Sequence, residues 1–133
     1  MNPQNDRRGG ERSAGRNSKT SRAIERAKHY LHDNFNQTVS LDELVALTTL
    51  SRFHLVRAFA RHTGIPPHAY QLKLRIERGC VLLRAGVTAA EVANQVGFAD
   101  QSHFTRHFKR IWHITPTQYA RMHAAGRGSI HLP

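Results

Sequence analysis

An internal repeat sets the terms on which this chain can fold. Leu55, Arg57, Phe59, Ile65, Pro67 and Tyr70 recur 49 positions on (55 to 104) as Phe104, Arg106, Phe108, Ile114, Pro116 and Tyr119. Leu41, Val45 and Ala46 recur 47 positions on (41 to 88) as Thr88, Val92 and Ala93. The two offsets differ by two, so the second copy has a turn two residues longer between its paired helices. Matched apolar, arginine, proline and tyrosine positions in one register make a helix pair followed by Pro and Tyr the structural unit, present twice.

The spacing of apolar residues supports helices throughout. They recur at three and four, without a run of strand-like alternation, which predicts an all-α chain. Helices are expected over roughly 22–35, 41–48, 52–63, 67–84, 89–96, 101–112 and 117–124. Ser40 with Glu43, and Thr88 with Glu91, have the hydroxyl-to-glutamate spacing of a reciprocal capping box. Asp100 can cap the helix that follows, and Pro67 and Pro116 suit a first helical position, where a missing N–H costs nothing. Gly64, Gly86 and Gly97 mark stops. Residues 1–21 are polar and rich in Gly, Ser, Asn and Arg, and read as a flexible basic tail. Residues 125–133 read as a frayed end, leaving 22–124 as the folded domain.

Charge narrows the partner. The formal net charge is +11, and Lys stands only at 19, 28, 73 and 109, so the remaining basic residues among the 20 are Arg. Arg presents a rigid donor fork that matches phosphates and guanine edges, which fits a nucleic-acid ligand better than a solubilising surface. The single cysteine, Cys80, excludes an intrachain disulfide and a four-ligand cysteine framework for zinc. The N-terminus lacks the apolar run of a secretion signal, and no stretch approaches a membrane span. A reduced, cytoplasmic setting is expected, with no cofactor.

The functional reading rests on the outer faces of two helices. At 100° per residue Leu55, Ala58 and Phe59 gather on one side of the first, with Phe53, Arg57, Ala60 and Arg61 roughly opposite. On the second, Phe104, Phe108 and Ile111 define the inner face, while Ser102, Thr105, Arg106, Lys109 and Arg110 look outward, flanked by Gln101 and His103. An apolar seam backing a polar, Arg-bearing face is what a helix needs to sit in a DNA major groove. Arg57 and Arg106 occupy equivalent outward positions and are the leading base-contact candidates, since Arg can grip guanine O6 and N7 together. Gln101 suits adenine, and Ser102 and Thr105 suit single contacts. Arg52, Arg61, His103, Lys109 and Arg110 are expected at phosphates. Phe53 either packs on a neighbouring element or stands exposed toward a thymine methyl or a sugar, and Val56 sits between the two faces.

Residues 67–84 would form a helix of about 27 Å, which sets the two units apart so that their recognition helices could enter grooves one DNA turn, roughly 34 Å, away. Leu72, Ile76 and Leu83 share a side and are expected to anchor both units, with Cys80 a packed core thiol. Arg75 and Glu77 are either structural or phosphate-facing; periodicity does not decide.

The segments SRFHLVRAFARHTGIPPHAYQLKLRIERG, LLRAG and VANQVGFADQSHFTRHFKRIWHITPTQY resemble the DNA-binding domain of the AraC/XylS family of bacterial transcription regulators. The resemblance runs from near Ala23 to Met122 and is most specific at Ala93, Gly97, Phe98, Asp100, Phe104, Arg106, Phe108, Pro116 and Tyr119. It implies seven helices in two homeodomain-like helix-turn-helix subdomains, about 38–64 and 88–113, joined by the long helix 67–84. It also implies binding to successive major-groove segments of double-stranded DNA. By the same analogy the base-reading positions fall on Phe53, Val56 and Arg57 in the first unit, and on Gln101, Ser102, Thr105 and Arg106 in the second. His113 stands where the family usually has glycine, and Gly79 where the long helix usually has alanine. The latter costs up to about 1 kcal/mol of helix propensity and is expected to loosen the coupling of the halves. With only 21 residues before the domain, the chain either looks like the smaller members that bind DNA as monomers without a sensor or is a shortened form of a longer regulator, and contact with RNA polymerase is the family's usual route to activation.

Two other classes compete. The ten histidines invite an enzyme, yet they are scattered, and no nucleophile–base grouping or zinc spacing accompanies them. His54, His62, His103 and His107 lie on the helices assigned to DNA, where phosphate contact or exposure accounts for them. A nonspecific nucleic-acid-binding or architectural protein is the alternative that charge alone would equally allow.

Overall fold

The computed structural model describes the backbone of residues 3–131 and the side chains of residues 18–124. Seven helices and no strand occur among the described residues: α1 (Pro3–Asp33), α2 (Leu41–Thr48), α3 (Arg52–Thr63), α4 (Pro67–Arg84), α5 (Ala89–Gln95), α6 (Gln101–Trp112) and α7 (Pro116–His131). Their bounds follow the sequence signals at most ends. At the Ser40 cap the Glu43 N–H donates to Ser40 Oγ (3.1 Å) while Ser40 N–H donates to the Glu43 carboxylate (3.3 Å), completing the capping box. Pro67 and Pro116 open α4 and α7.

The first and last helices run further toward the chain ends than the expected 22–35 and 117–124. Residues 3–21, read as a flexible tail, continue α1, and residues 125–131, read as frayed, continue α7. A helical backbone bonds to itself and needs only the absence of a breaker, and no proline occurs between Pro3 and Pro66. Gly126 and Gly128 lower helix propensity by about 1 kcal/mol each without forbidding the conformation. The remaining terminal residues, 1–2 and 132–133, lie outside the described residues. What the polar composition did locate is where burial starts: among the described side chains of α1 the first buried one is Ala23.

The chain divides into two compact units, the first built from α1, α2 and α3 and the second from residues 34–38, nearly all of α4, and α5 to α7. In the first, Ala23, Ile24, Ala27 and Leu31 of α1 are buried, as are Leu44 of α2 and Leu55, Ala58 and Phe59 of α3. The three helices pack on one another in pairs. The turn between α2 and α3 is tied internally: buried Thr48 donates from Oγ1 to the Leu44 carbonyl (2.7 Å) and accepts from Leu50 N–H (3.3 Å). Thr49 takes a left-handed conformation (φ 61°) to reverse the chain.

The second unit has the larger core. Ile76, Cys80 and Leu83 of α4 join Val92, Ala93, Val96, Phe98, Phe104, Phe108 and Tyr119 in one buried cluster, with Leu72 packed at its border. The residues expected to anchor both units therefore belong to the second unit's core. Gly97 is required there on two grounds. Its φ is +95°, and a β-carbon on it would fall 2.5 Å from the carbonyl oxygen of Asn36. Ile111, expected on the buried face of α6, is instead 47% exposed. The last turn of α6 is covered from the side of Tyr119, which lies 5.2 Å from Trp112, and Trp112 stacks on Phe108 at 6.2 Å. Trp112 is itself 45% exposed but keeps ring contact with Phe108 and Tyr119, so the buried face of α6 ends at Phe108.

Candidate nucleic-acid interface

Each unit ends its helix pair on a capped, acid-free helix. On α3, Ser51 accepts the His54 N–H through its hydroxyl (3.1 Å), and on α6, Asp100 accepts the His103 N–H through Oδ1 (2.8 Å). Neither RFHLVRAFARHT nor QSHFTRHFKRIW contains an Asp or Glu, so nothing on these helices neutralises their Arg and Lys side chains. The inner faces are fixed by burial: Leu55, Ala58 and Phe59 on α3, Phe104 and Phe108 on α6.

On the outer face of α3, Phe53 is not packed into a neighbouring element. Its ring is 70% exposed, and the Arg57 guanidinium lies over it, 5.1 Å from the centroid. An aromatic face and a cation four residues apart attract one another and restrict both rotamers. Arg52 and Arg61 are exposed and Val56 is half-buried beside Arg57. Arg52 approaches Asp42 of α2 at 3.4 Å, with both side chains well exposed, so the pair contributes little and opens readily. His62, also on α3, is engaged inside the unit by Glu25 of α1 at 3.0 Å. Hydrogen bonding from His62, and then from Lys28, holds the Glu25 carboxyl below the usual range.

On α6, Gln101, Ser102, Arg106, Lys109 and Arg110 are exposed, and Thr105 is half-buried. His103 is half-buried and its Nε2 stands 3.1 Å from Nε2 of His107, a partner the sequence reading had not assigned. Arg57, Arg106, Lys109 and Arg110 form no ion pair with any described residue. Among the described residues no group of three or more His, Cys, Asp or Glu is placed to hold a metal.

The question left open at Arg75 is also decided. Its guanidinium donates to the backbone carbonyls of Phe35 (Nε, 2.7 Å), Gln37 (Nη2, 2.9 Å) and Gly97 (Nη1, 3.1 Å), and lies 5.6 Å from the Phe98 centroid. Gln71 adds bonds from Nε2 to the carbonyls of Asn34 (3.3 Å), Phe35 (3.2 Å) and Gln37 (2.7 Å). Arg75 is thus a structural residue that fastens segment 34–38 and the Gly97 turn to α4. The turn that sets the start of α6 is held by it.

The helix-turn-helix domain family matches residues 44–122, more than half of the chain. The chain belongs to the AraC/XylS-type helix-turn-helix family. It is 37% identical over 83 residues to the HTH-type transcriptional regulator MtrA of Neisseria gonorrhoeae, covering 62% of this chain and 28% of that protein. Its structure is similar to that of a probable AraC family transcriptional regulator from Rhodopseudomonas palustris, with TM-score 0.68 and 25% identity over 77% of this chain and 97% of that one. It shares its fold with the DNA-binding domain of AdpA, solved in complex with a target DNA (TM-score 0.73, 23% identity, 79% and 96% covered). The chain spans about a third or less of the length of curated relatives such as MtrA and the MmsAB operon regulatory protein of Pseudomonas aeruginosa. This AraC/XylS-type family is one of regulator DNA-binding domains and not a class of enzymes. No described helix is long and apolar enough to cross a membrane.

Proposed function

We propose that this AraC/XylS-type domain binds double-stranded DNA sequence-specifically and regulates bacterial transcription, setting α3 and α6 into successive major-groove segments. The observation that carries the reading is the repetition of one device. Arg57 and Arg106, 49 positions apart, each project from an acid-free, N-capped helix whose opposite face is buried. In this reading Arg57 and Arg106 grip guanines, with Phe53 and Val56 at thymine methyls or sugars and Gln101, Ser102 and Thr105 completing the second site. Arg52, Arg61, His103, Lys109 and Arg110 hold phosphates. The cytoplasm, binding as a monomer, and activation through RNA polymerase belong to the same reading and rest on family resemblance.

Selection of bound duplexes from a random pool, followed by footprinting, tests the core of it. Two protected blocks about one turn apart are expected. R106A should relax preference within one block by about 1–3 kcal/mol at a single base pair, and R57A in the other, while K109A weakens all sequences alike. If R57A and R106A weaken every sequence equally, the nonspecific, architectural reading replaces this one.

A further inference from the structure

His103 and His107 are four residues apart on α6, one helical turn, and their Nε2 atoms converge to 3.1 Å. The two rings lie 4.8 Å apart at 69°, and one Nε2 donates to the other, the direction set by the tautomer, so a cation taking the place of that shared proton would meet the same two nitrogens. Phe98 fixes both rings. Its own ring, only 5% exposed, meets His103 edge-on at 5.4 Å and stacks on His107 at 5.7 Å and 26°. Arg75, bonded to three carbonyls, backs Phe98 in turn. The pair is therefore set by the core and not by the chance meeting of two surface rotamers.

Imidazole nitrogens bind zinc at about 2.0–2.1 Å. Two such bonds ending on nitrogens 3.1 Å apart subtend about 95–102° at the metal. That angle falls between the octahedral 90° and the tetrahedral value of about 109°, so the separation of the two nitrogens already suits ligation once the rings turn from each other toward the ion. We propose that His103 and His107 form a two-imidazole site for a divalent transition-metal cation of the zinc, nickel and copper class. A donor set of imidazoles without carboxylates selects these ions over magnesium and calcium. The neighbouring cations Arg106, Lys109 and Arg110 oppose a bare dication and favour an anionic oxygen or hydroxide on its open positions. Ligation across one turn also pins the first half of α6. The site itself does not depend on the DNA-binding reading.

The test uses the full chain and zinc alone. In long-range proton–nitrogen NMR spectra, zinc should shift the Nε2 resonances of His103 and His107 and leave those of His29, His32 and His62 in place. H107Q should weaken zinc binding at least about tenfold, the lower bound for losing even a supporting group at a metal site, whereas H32Q should not. Zinc should also raise the thermal midpoint of the wild type and not of H107Q. Should H107Q fail to fold, the wild-type spectra decide alone. Shifts at other histidines instead, or none up to about 1 mM zinc, overturn the proposal.

Discussion

Gly79 faces the tip of the Phe104 ring: a β-carbon on the glycine would come 3.1 Å from Cε1 and 3.2 Å from Cζ of the ring and 3.3 Å from Cγ1 of Val92. The glycine within α4 is therefore explained by packing, since an alanine there would need the ring to give by a few tenths of an ångström. Phe104 and Val92 are fully buried, and Phe104 is flanked by Phe98 at 5.5 Å and Phe108 at 5.6 Å, so neither can retreat. G79A gains about 1 kcal/mol of helix propensity but incurs an overpacking cost of about 1–3 kcal/mol. A net loss of roughly 1 kcal/mol is expected in urea unfolding, and a larger one for G79V. A stabilised G79A would show that the core yields there.

Gly64 and His113 are the same position in the two repeats (64 + 49 = 113), and both are left-handed helix C-caps, with φ +92° and +64°. Nothing lies within 4 Å of a β-carbon on Gly64, so G64A isolates the backbone cost, about 1–2 kcal/mol of destabilisation. H113G should move the other way, by up to about 1 kcal/mol, because the relief at φ exceeds the entropy that glycine adds to the unfolded chain. Thermal unfolding of both variants checks the pair; equal signs would refute the shared strain.

Arg75 carries three bonds to backbone carbonyls, and R75M should cost about 2 kcal/mol or more, since charged donors contribute more than neutral ones. R75K reaches fewer acceptors and should recover only part of this. Arg75 and Gln71 share the carbonyls of Phe35 and Gln37, so losses in R75M and Q71L should be non-additive. Additive losses in the double variant would show that the two side chains act separately.

The helices, the repeat and the outward positions of Arg57 and Arg106 were legible in the sequence because they depend on periodicity and caps, which are local. Ile111 was misplaced because phase along one helix does not say where the covering element ends; Tyr119 decides that. Arg75 was undecidable because its acceptors, Phe35, Gln37 and Gly97, come from segments distant in sequence. His103 with His107 shows a one-turn spacing in the sequence, but only the fold brings the ring of Phe98 against both and their Nε2 atoms to 3.1 Å. The extent of α1 was hidden for a different reason: a polar composition says that a segment lacks a core, not that its backbone lacks a helix.

Glu43 links stability of the first unit to pH. The Tyr30 hydroxyl donates to its carboxylate at 2.8 Å, and this bond first, then the Ser40 backbone N–H, holds the Glu43 carboxyl below its ordinary value of 4.5. A depressed carboxyl contributes fully above its unfolded value and loses that contribution as pH falls through the folded one. E43Q should therefore lower the thermal midpoint near pH 7, with the difference from wild type shrinking once pH falls below 4.5. A difference that stays constant through that window would remove the carboxylate as its source.

Phe53 and Arg57 offer the sharpest test of how the first unit reads DNA under the proposed function. With the ring 70% exposed and the guanidinium 5.1 Å above it, Phe53 can both touch a thymine methyl and steady Arg57 for guanine. Replacing the thymines of the first half-site by uracil removes only methyl groups. Wild-type binding should fall about fourfold per contacted methyl, from a transfer term of about 0.8 kcal/mol, whereas F53A should bind both duplexes equally. F53L keeps an apolar contact but loses the ring, so it should retain the uracil effect while weakening preference for the guanine assigned to Arg57, by about 0.5–1 kcal/mol. If wild type and F53A respond to uracil alike, Phe53 reads no methyl, and its exposure serves Arg57 alone.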